Sequence, residues 1–343
     1  MAGAVARIRD AVSRRESYLV STPNLNFVVA SLADDEFRDS VIQSDLSVAD
    51  GMTLVWTGRL LGLPIRERVS GSDVFETLRA EDRLRISIYF FGGMETVAET
   101  ACKQLNSQPS GLKCVGYQCP GFGSVEDMSA EGMIARINAA GADFLVVSLG
   151  AKKGQAWITR NRHRVSPPVV SHLGAIVDFV AGRLRRAPRW VRRAGLEWLW
   201  RIKEDPKLWR RYASDGMAFL RLLFTRVLPY WWLVLRRSPC SRDLDEAKID
   251  MFQADGESVI RLRGAWAQAN LNPLRECFSR AALADENIRI EMEQVTHVDS
   301  AFMGVLMLLY GNRRRRTKRL SVVTGNKRLQ RIFRYACAEF LLR

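Results

Sequence analysis

Through the first 180 positions, short and nearly continuous apolar runs alternate with stretches in which apolar residues return every three or four positions. The runs at 17–21 (SYLVS), 46–49, 86–91, 112–117, 144–149 and 169–172 read as buried strands. Between them, 25–32, 34–44, 52–61, the segment from Val74, 95–105, 130–139 and 155–162 carry helical periodicity, and 1–16 read as an amphipathic basic helix. This alternation predicts an α/β fold, a Rossmann-like, mostly parallel sheet covered by helices. From 190 to 235 the pattern is helical only. Short helices are expected at 196–203 and 206–212, the second opening on Pro206, then a longer amphipathic helix over 217–235, kinked near Pro229. A polar linker at 238–248 precedes a second pattern. Strands at 249–253 and 258–263 flank the turn Ala254-Asp255-Gly256-Glu257, followed by helix 271–283, strand 288–292, helix 301–312, strand 320–323 and helix 327–336. The expected organisation is an α/β domain at 1–180, a helical appendage at 181–237, the linker, and a small α/β domain at 249–343.

Charge changes that picture in one place. The 343 residues carry a formal +15, but 183–237 alone holds fifteen Lys/Arg against four Asp/Glu. Trp190, Trp198, Trp200 and Trp209, four of the nine tryptophans, fall in the same region. A solvated charge run has no use for so much indole, and a packed core has none for so much guanidinium. An anionic partner beside an apolar one is expected. Nucleic acid is not, because the basic residues interleave with Trp and Leu at amphipathic spacing and no binding motif is present.

The six cysteines form no C-x-x-C pair and there are three histidines, so no metal site is expected and the cysteines read as free thiols in a reducing compartment. The N-terminus lacks an apolar core of the secretory type. The apolar run at 217–235 is broken by Arg221, Arg226 and Pro229 and falls short of a membrane span.

Few residues present themselves for chemistry. Gly92-Gly93 after a strand could seat a phosphate or simply turn the chain, and His163 and His172 read as surface or packing residues. Asp50 stands out. It follows an apolar strand and precedes Gly51, while Thr22 and Asn24 end an earlier strand, so in a parallel sheet both pairs can face one crevice. A carboxylate there could take a proton from an attacking hydroxyl.

In order along the chain stand T-P-N at 22–24, A-D-G at 49–51, R-V-S-G-S-D at 68–73, L-G at 149–150, A-G-R-L-R-R-A-P at 181–188 and G-L-E-W-L-W-R at 195–201. This series resembles the WecG/TagA/CpsF glycosyltransferases, glycosyltransferase family 26, over roughly residues 15–225. The resemblance implies inverting, metal-independent transfer from a UDP-sugar, typically of the N-acetylmannosamine type. The acceptor it implies is a polyprenyl-diphosphate-linked saccharide at the cytoplasmic face of the membrane. By position, Asp50 matches the catalytic base and Thr22 its pocket partner. Asn24, Gly51, Arg68, Gly71, Asp73 and Gln155 match substrate-binding positions, and Arg201 and Arg211 match appendage arginines that reach a diphosphate. A third expected arginine is Leu208 here, with Lys207 and Arg210 possible substitutes. Where many relatives have Pro-(Lys/Arg)-Gln-Glu, this chain has Lys152-Lys153-Gly154-Gln155, which leaves the donor sugar open.

The last domain resembles a STAS domain through H-V-D-S-A-F-M-G at 297–304, with Ser300 at the position phosphorylated in regulatory members. A docking role for a protein partner is the alternative. The basic run 313–319 reads as a solvated helix end. The expectation is a glycosyltransferase of surface or exopolysaccharide biosynthesis, peripheral on the inner face of the cytoplasmic membrane. Its rival is a non-catalytic STAS-bearing scaffold.

Overall fold

The computed structural model describes residues 1–81, 85–107, 110–234 and 239–342, with the side chains of Arg189 and Arg193 outside that description. The end of the predicted 217–235 helix, Arg236, Arg237 and the first linker residue, Ser238, lie outside the described residues. The chain forms two compact units, Met1–Val55 with Arg66–Asp215, and Trp56–Ile65 with Gly216–Arg343.

The first unit is built on six parallel strands, β1 (Tyr18–Ser21), β2 (Leu46–Ser47), β3 (Ile86–Gly92), β4 (Leu112–Gln118), β5 (Phe144–Ser148) and β6 (Val169–His172), in the order β2-β1-β6-β5-β3-β4. The runs are continuously apolar because both faces are covered. In β5, Phe144 and Val146 join one core cluster and Leu145 and Val147 the other, as alternation along a strand requires. Each such burial contributes about 1.5–3 kcal/mol. The N-terminal helix Ala2–Arg14 adds Val5, Ile8 and Val12 to the first cluster from one face.

Gly92 has φ 112°, and a Cβ there would lie 2.4 Å from the Ser148 carbonyl oxygen, so its glycine serves a close strand turn. One expectation is corrected here. Cys102, on the helix Glu95–Asn106, and Cys114, on β4, form a disulfide with a Cα–Cα distance of 5.3 Å, while Cys119, Cys240, Cys277 and Cys337 are free thiols. The helix returning from β3 lies over β4, which brings residues twelve apart in sequence into bonding range.

The predicted short helix at 206–212 and the long one after it are a single helical run, Pro206–Val234. It contains a π-helical turn at Leu223–Val227 followed by Leu228–Val234. Pro229 has no N–H for the carbonyl four residues back, and the widened turn accommodates that loss where a kink was expected. By length and composition this helix is long and apolar enough to cross a membrane, contrary to the reading from 217–235 alone.

In the second unit Val227, Tyr230 and Val234 are buried, and the sheet runs β10 (Leu320–Val323), β9 (Asn287–Val298), β8 (Glu257–Trp266), β7 (Lys248–Ala254). Only the β7–β8 pair is antiparallel, and its turn puts Asp255 and Gly256 at φ 53° and 72°. The basic run is not a solvated helix end at its first residue. Arg313 is fully buried and donates to the carbonyls of Ala282 (2.7 Å), Ala284 (2.8 Å) and Glu286 (3.2 Å), satisfying the end of the helix Asn272–Leu283.

Candidate active site

At the carboxyl ends of β1, β2, β5 and β6 the first unit opens into a cleft of about 480 Å³. This is where an open parallel sheet places its ligands. Thr22 and Asn24 enter it from the end of β1, Asp50 from the loop after β2, and Ser148 and Gly150 from the end of β5. His172 and Gly174 enter from β6, and Arg185, Arg201, Leu208 and Arg211 close it from the basic, Trp-rich segment. Asn24 caps the helix Leu25–Ala33, its Oδ1 accepting from Phe27 N at 3.2 Å. Gly71 opens the helix Gly71–Ala80, where a Cβ would meet Leu173 at 2.4 Å and Thr22 at 3.2 Å. The bare backbone lets this helix start reach the cleft wall.

Asp50 is fixed by its own N–H, which donates to the Pro23 carbonyl at 2.9 Å. Burial pushes its carboxyl up to about 6. The Glu197 carboxylate adds to the rise, while the Arg201 and Arg68 guanidiniums and the Gly71 N–H work against it. Arg68 Nη1 lies 3.8 Å from Asp50 Oδ1. That arginine is committed elsewhere, through Nη1 to Glu197 at 2.8 Å and through Nη2 to Asp73 at 2.7 Å.

Asp73 gathers three guanidiniums, those of Arg68, Arg186 (2.6 Å) and Arg192 (2.6 Å), and accepts from Ser70 Oγ at 2.6 Å. The hydrogen bonds from Ser70 and Arg186 hold its carboxyl below the usual range despite burial. His172 is buried, which depresses its pKa, and its Nε2 donates to the Leu149 carbonyl at 2.6 Å. It serves as a neutral wall residue.

Of the residues singled out in the sequence, Thr22, Asn24, Asp50, Gly71, Arg201 and Arg211 line the cleft, and Gly51, Arg68, Asp73, Gln155 and Arg210 do not. Arg68 and Asp73 are tied into the ion-pair cluster beside it. Gln155 is 1% exposed and its amide donates to Ser21 Oγ at 3.3 Å behind the wall. Arg210 is exposed, its guanidinium 5.8 Å from the Trp209 ring centroid. Leu208, where an arginine was expected, does face the cleft, and Arg185 supplies a guanidinium that the motif reading passed over. Glu197 and Arg186 were also passed over, although both sit inside quoted motifs. Ser300 is in the second unit. Its Oγ donates to the Leu61 carbonyl at 2.6 Å and lies 3.3 Å from the Tyr230 hydroxyl, whose pKa burial raises to about 12. Among the described residues no group of three or more His, Cys, Asp or Glu is placed to hold a metal ion.

The family model described as "Glycosyl transferase WecG/TagA/CpsF family" matches residues 1–231. The chain belongs to this family. It is therefore a glycosyltransferase, with the shared region carrying the whole cleft. A relative from Bacillus subtilis strain 168, named N-acetylglucosaminyldiphosphoundecaprenol N-acetyl-beta-D-mannosaminyltransferase, is 28% identical over 213 residues, 62% of this chain and 81% of the relative. A Bacillus spizizenii protein of the same name is 25% identical over 204 residues, 59% of this chain and 77% of that one. Residues 251–342 match the model "Mlab, STAS domain", so this WecG/TagA/CpsF member carries a STAS domain behind its transferase region. The solved structure of the phosphorylated Bacillus cell-fate determinant SpoIIAA aligns at 15% identity and a TM-score of 0.25, covering 28% of this chain and 89% of SpoIIAA.

Proposed function

We propose that this protein transfers a sugar of the N-acetylmannosamine type from a UDP-sugar to a polyprenyl-diphosphate-linked saccharide, with inversion and without a metal, in the synthesis of a surface or exported polysaccharide. The observation that carries the reading is Asp50, a carboxyl with a pKa of about 6 facing a cleft it shares with Thr22 and the guanidiniums of Arg185, Arg201 and Arg211. In the reaction Asp50 takes the proton of the acceptor hydroxyl. The hydroxyl oxygen bonds to the anomeric carbon from the face opposite the nucleotide as the bond from that carbon to the UDP oxygen breaks. A base with a pKa near 6 is ionised at neutral pH yet strong enough to share a proton in the transition state. The charge growing on the leaving diphosphate is met by the arginines, the role a metal ion fills elsewhere. The similarity to two enzymes named for N-acetylglucosaminyldiphosphoundecaprenol supports a lipid-linked acceptor.

Such an acceptor is reached at a membrane surface. Trp190, Trp198 and Trp209 of the first unit are exposed among arginines and lysines, and so are Met217, Phe224, Trp231 and Trp232 of the second. Each basic residue near an anionic leaflet contributes about 1 kcal/mol, which supports peripheral attachment at the cytoplasmic face. The test is UDP release from a panel of UDP-sugars, each with polyprenyl-diphosphate-linked N-acetylglucosamine. Release with at least one donor is expected, and release that requires no acceptor, or none with any pair, overturns the reading.

A further inference from the structure

Glu197 lies on the helix Glu197–Glu204, outside the residues to which the motifs give a role, yet its carboxylate pairs with two guanidiniums, those of Arg68 and Arg201. One of its oxygens, Oε2, takes Arg68 Nη1 at 2.8 Å, and the other, Oε1, takes Arg201 Nη2 at 3.4 Å. The nitrogen that Glu197 holds is the same one that stands 3.8 Å from Asp50 Oδ1. The other Arg68 terminal nitrogen is anchored to Asp73 at 2.7 Å, so the guanidinium can pivot toward Asp50 once Glu197 lets go. Glu197 is 18% exposed and Arg68 12%, so water competes weakly for either.

We propose that Glu197 is a positioning residue of the transfer reaction: by bridging Arg68 and Arg201 it keeps Arg68 from closing on Asp50, and so leaves the Asp50 carboxylate free to accept the acceptor's proton. The inference rests on Asp50 being the base. Without Glu197, Arg68 Nη1 moves into hydrogen-bond range of Asp50 and occupies the lone pair the reaction needs, and a negative charge near the base is lost. Both changes favour ionised Asp50 and weaken it as a base. The other charged or titratable groups at the cleft are Arg185, Glu204, Asp205, Arg211 and His172. None of them holds Arg68.

The test uses the full-length protein and two readouts. The Asp50 carboxyl is followed by ¹³C NMR against pH, assigned by its loss in Asp50→Asn. The pH profile of kcat is measured with UDP-N-acetylmannosamine and a short-chain polyprenyl-diphosphate-linked N-acetylglucosamine. In Glu197→Gln the Asp50 midpoint is expected to fall by roughly half a pH unit or more. The acidic limb of kcat should move with it and the plateau should drop about tenfold. Glu197→Asp, which keeps the charge, should restore most of the midpoint. An unmoved midpoint, or an undiminished kcat plateau, in Glu197→Gln overturns the inference even if KM rises, because loss of the nearby charge alone moves the midpoint without Arg68 occupying Asp50. Turnover retained by Asp50→Asn instead removes the base assignment itself, which separates the two failures.

Discussion

Gly154 and His172 occupy one space. A Cβ on Gly154 would lie 2.2 Å from His172 Cδ2, and the imidazole cannot retreat because Nε2 is bonded to the Leu149 carbonyl at 2.6 Å. Gly154 and His172 are thus a matched pair of residues. Glycine inside the helix Ala151–Asn161 forgoes helix propensity, and the bare Cα admits the histidine that walls the cleft.

Gly154→Ala is accordingly expected to destabilise the fold although alanine is the better helix former. The propensity gain of about 1 kcal/mol is outweighed by overpacking of about 1–3 kcal/mol. Thermal denaturation of Gly154→Ala and of Gly154→Ala/His172→Ala checks it. The double variant should recover part of the loss, and a single variant more stable than wild type would show that His172 yields freely.

Asp50→Asn should lose transfer and gain stability together. Burial places the folded Asp50 pKa at about 6 against 3.8 for the free group, so the charge is disfavoured in the fold. Its contribution is present below pH 3.8 and is lost as pH rises through 6. At pH 7 the ionised carboxylate costs up to about 3 kcal/mol, which the neutral amide does not incur. A Tm higher by a few degrees at pH 7, with the difference vanishing near pH 4, is the expected outcome. Equal Tm values at both pH values would contradict the burial argument.

The same carboxyl sets the pH dependence of the wild type. Only ionised Asp50 accepts a proton, so kcat should rise about tenfold per pH unit below 6 and level off above it. A profile flat between pH 5 and 7 would mean that another group, or no group, takes the proton.

Much of this cleft was legible from sequence because strand ends are local features. Thr22, Asn24 and Asp50 each follow an apolar run, and a parallel sheet delivers such positions to one edge whatever the loops do. Arg68 and Asp73 were recognised by motif, but their partners were not. Glu197 and Arg186 lie more than a hundred residues away, and no periodicity links a carboxylate at 197 to a guanidinium at 68. Arg313 was misjudged for a similar reason. The three residues that follow it are all arginine, and only the fold shows three carbonyls converging on it. The Cys102–Cys114 pair required knowing that the helix after β3 packs on β4.

Arg313→Ala is expected to destabilise the STAS domain by about 2–4 kcal/mol. The change leaves the carbonyls of Ala282, Ala284 and Glu286 without their donor and empties a volume that is wholly buried. Arg314→Ala, one residue along and exposed, serves as the control. Urea denaturation followed in the second unit should separate the two variants clearly, and equal midpoints would return Arg313 to the solvated run.

Arg211 offers the sharpest test of how the cleft handles a diphosphate. It lines the cleft, its guanidinium lies 5.1 Å from the Tyr212 ring centroid, and no carboxylate among the described residues pairs with it. Arg201, by contrast, is already shared with Glu197. An unpaired guanidinium is free to follow negative charge as it builds on the departing phosphate, and stabilisation made only in the transition state appears in kcat. Arg211→Ala should therefore lower kcat by about tenfold to a hundredfold with little change in KM, the cost of one charge-assisted bond of about 1.5–3 kcal/mol. Arg211→Lys should restore part of the rate, since charge counts for more here than fork geometry. A rise in KM alone would place Arg211 on the resting substrate, and the leaving-group role would pass to Arg185 and Arg201.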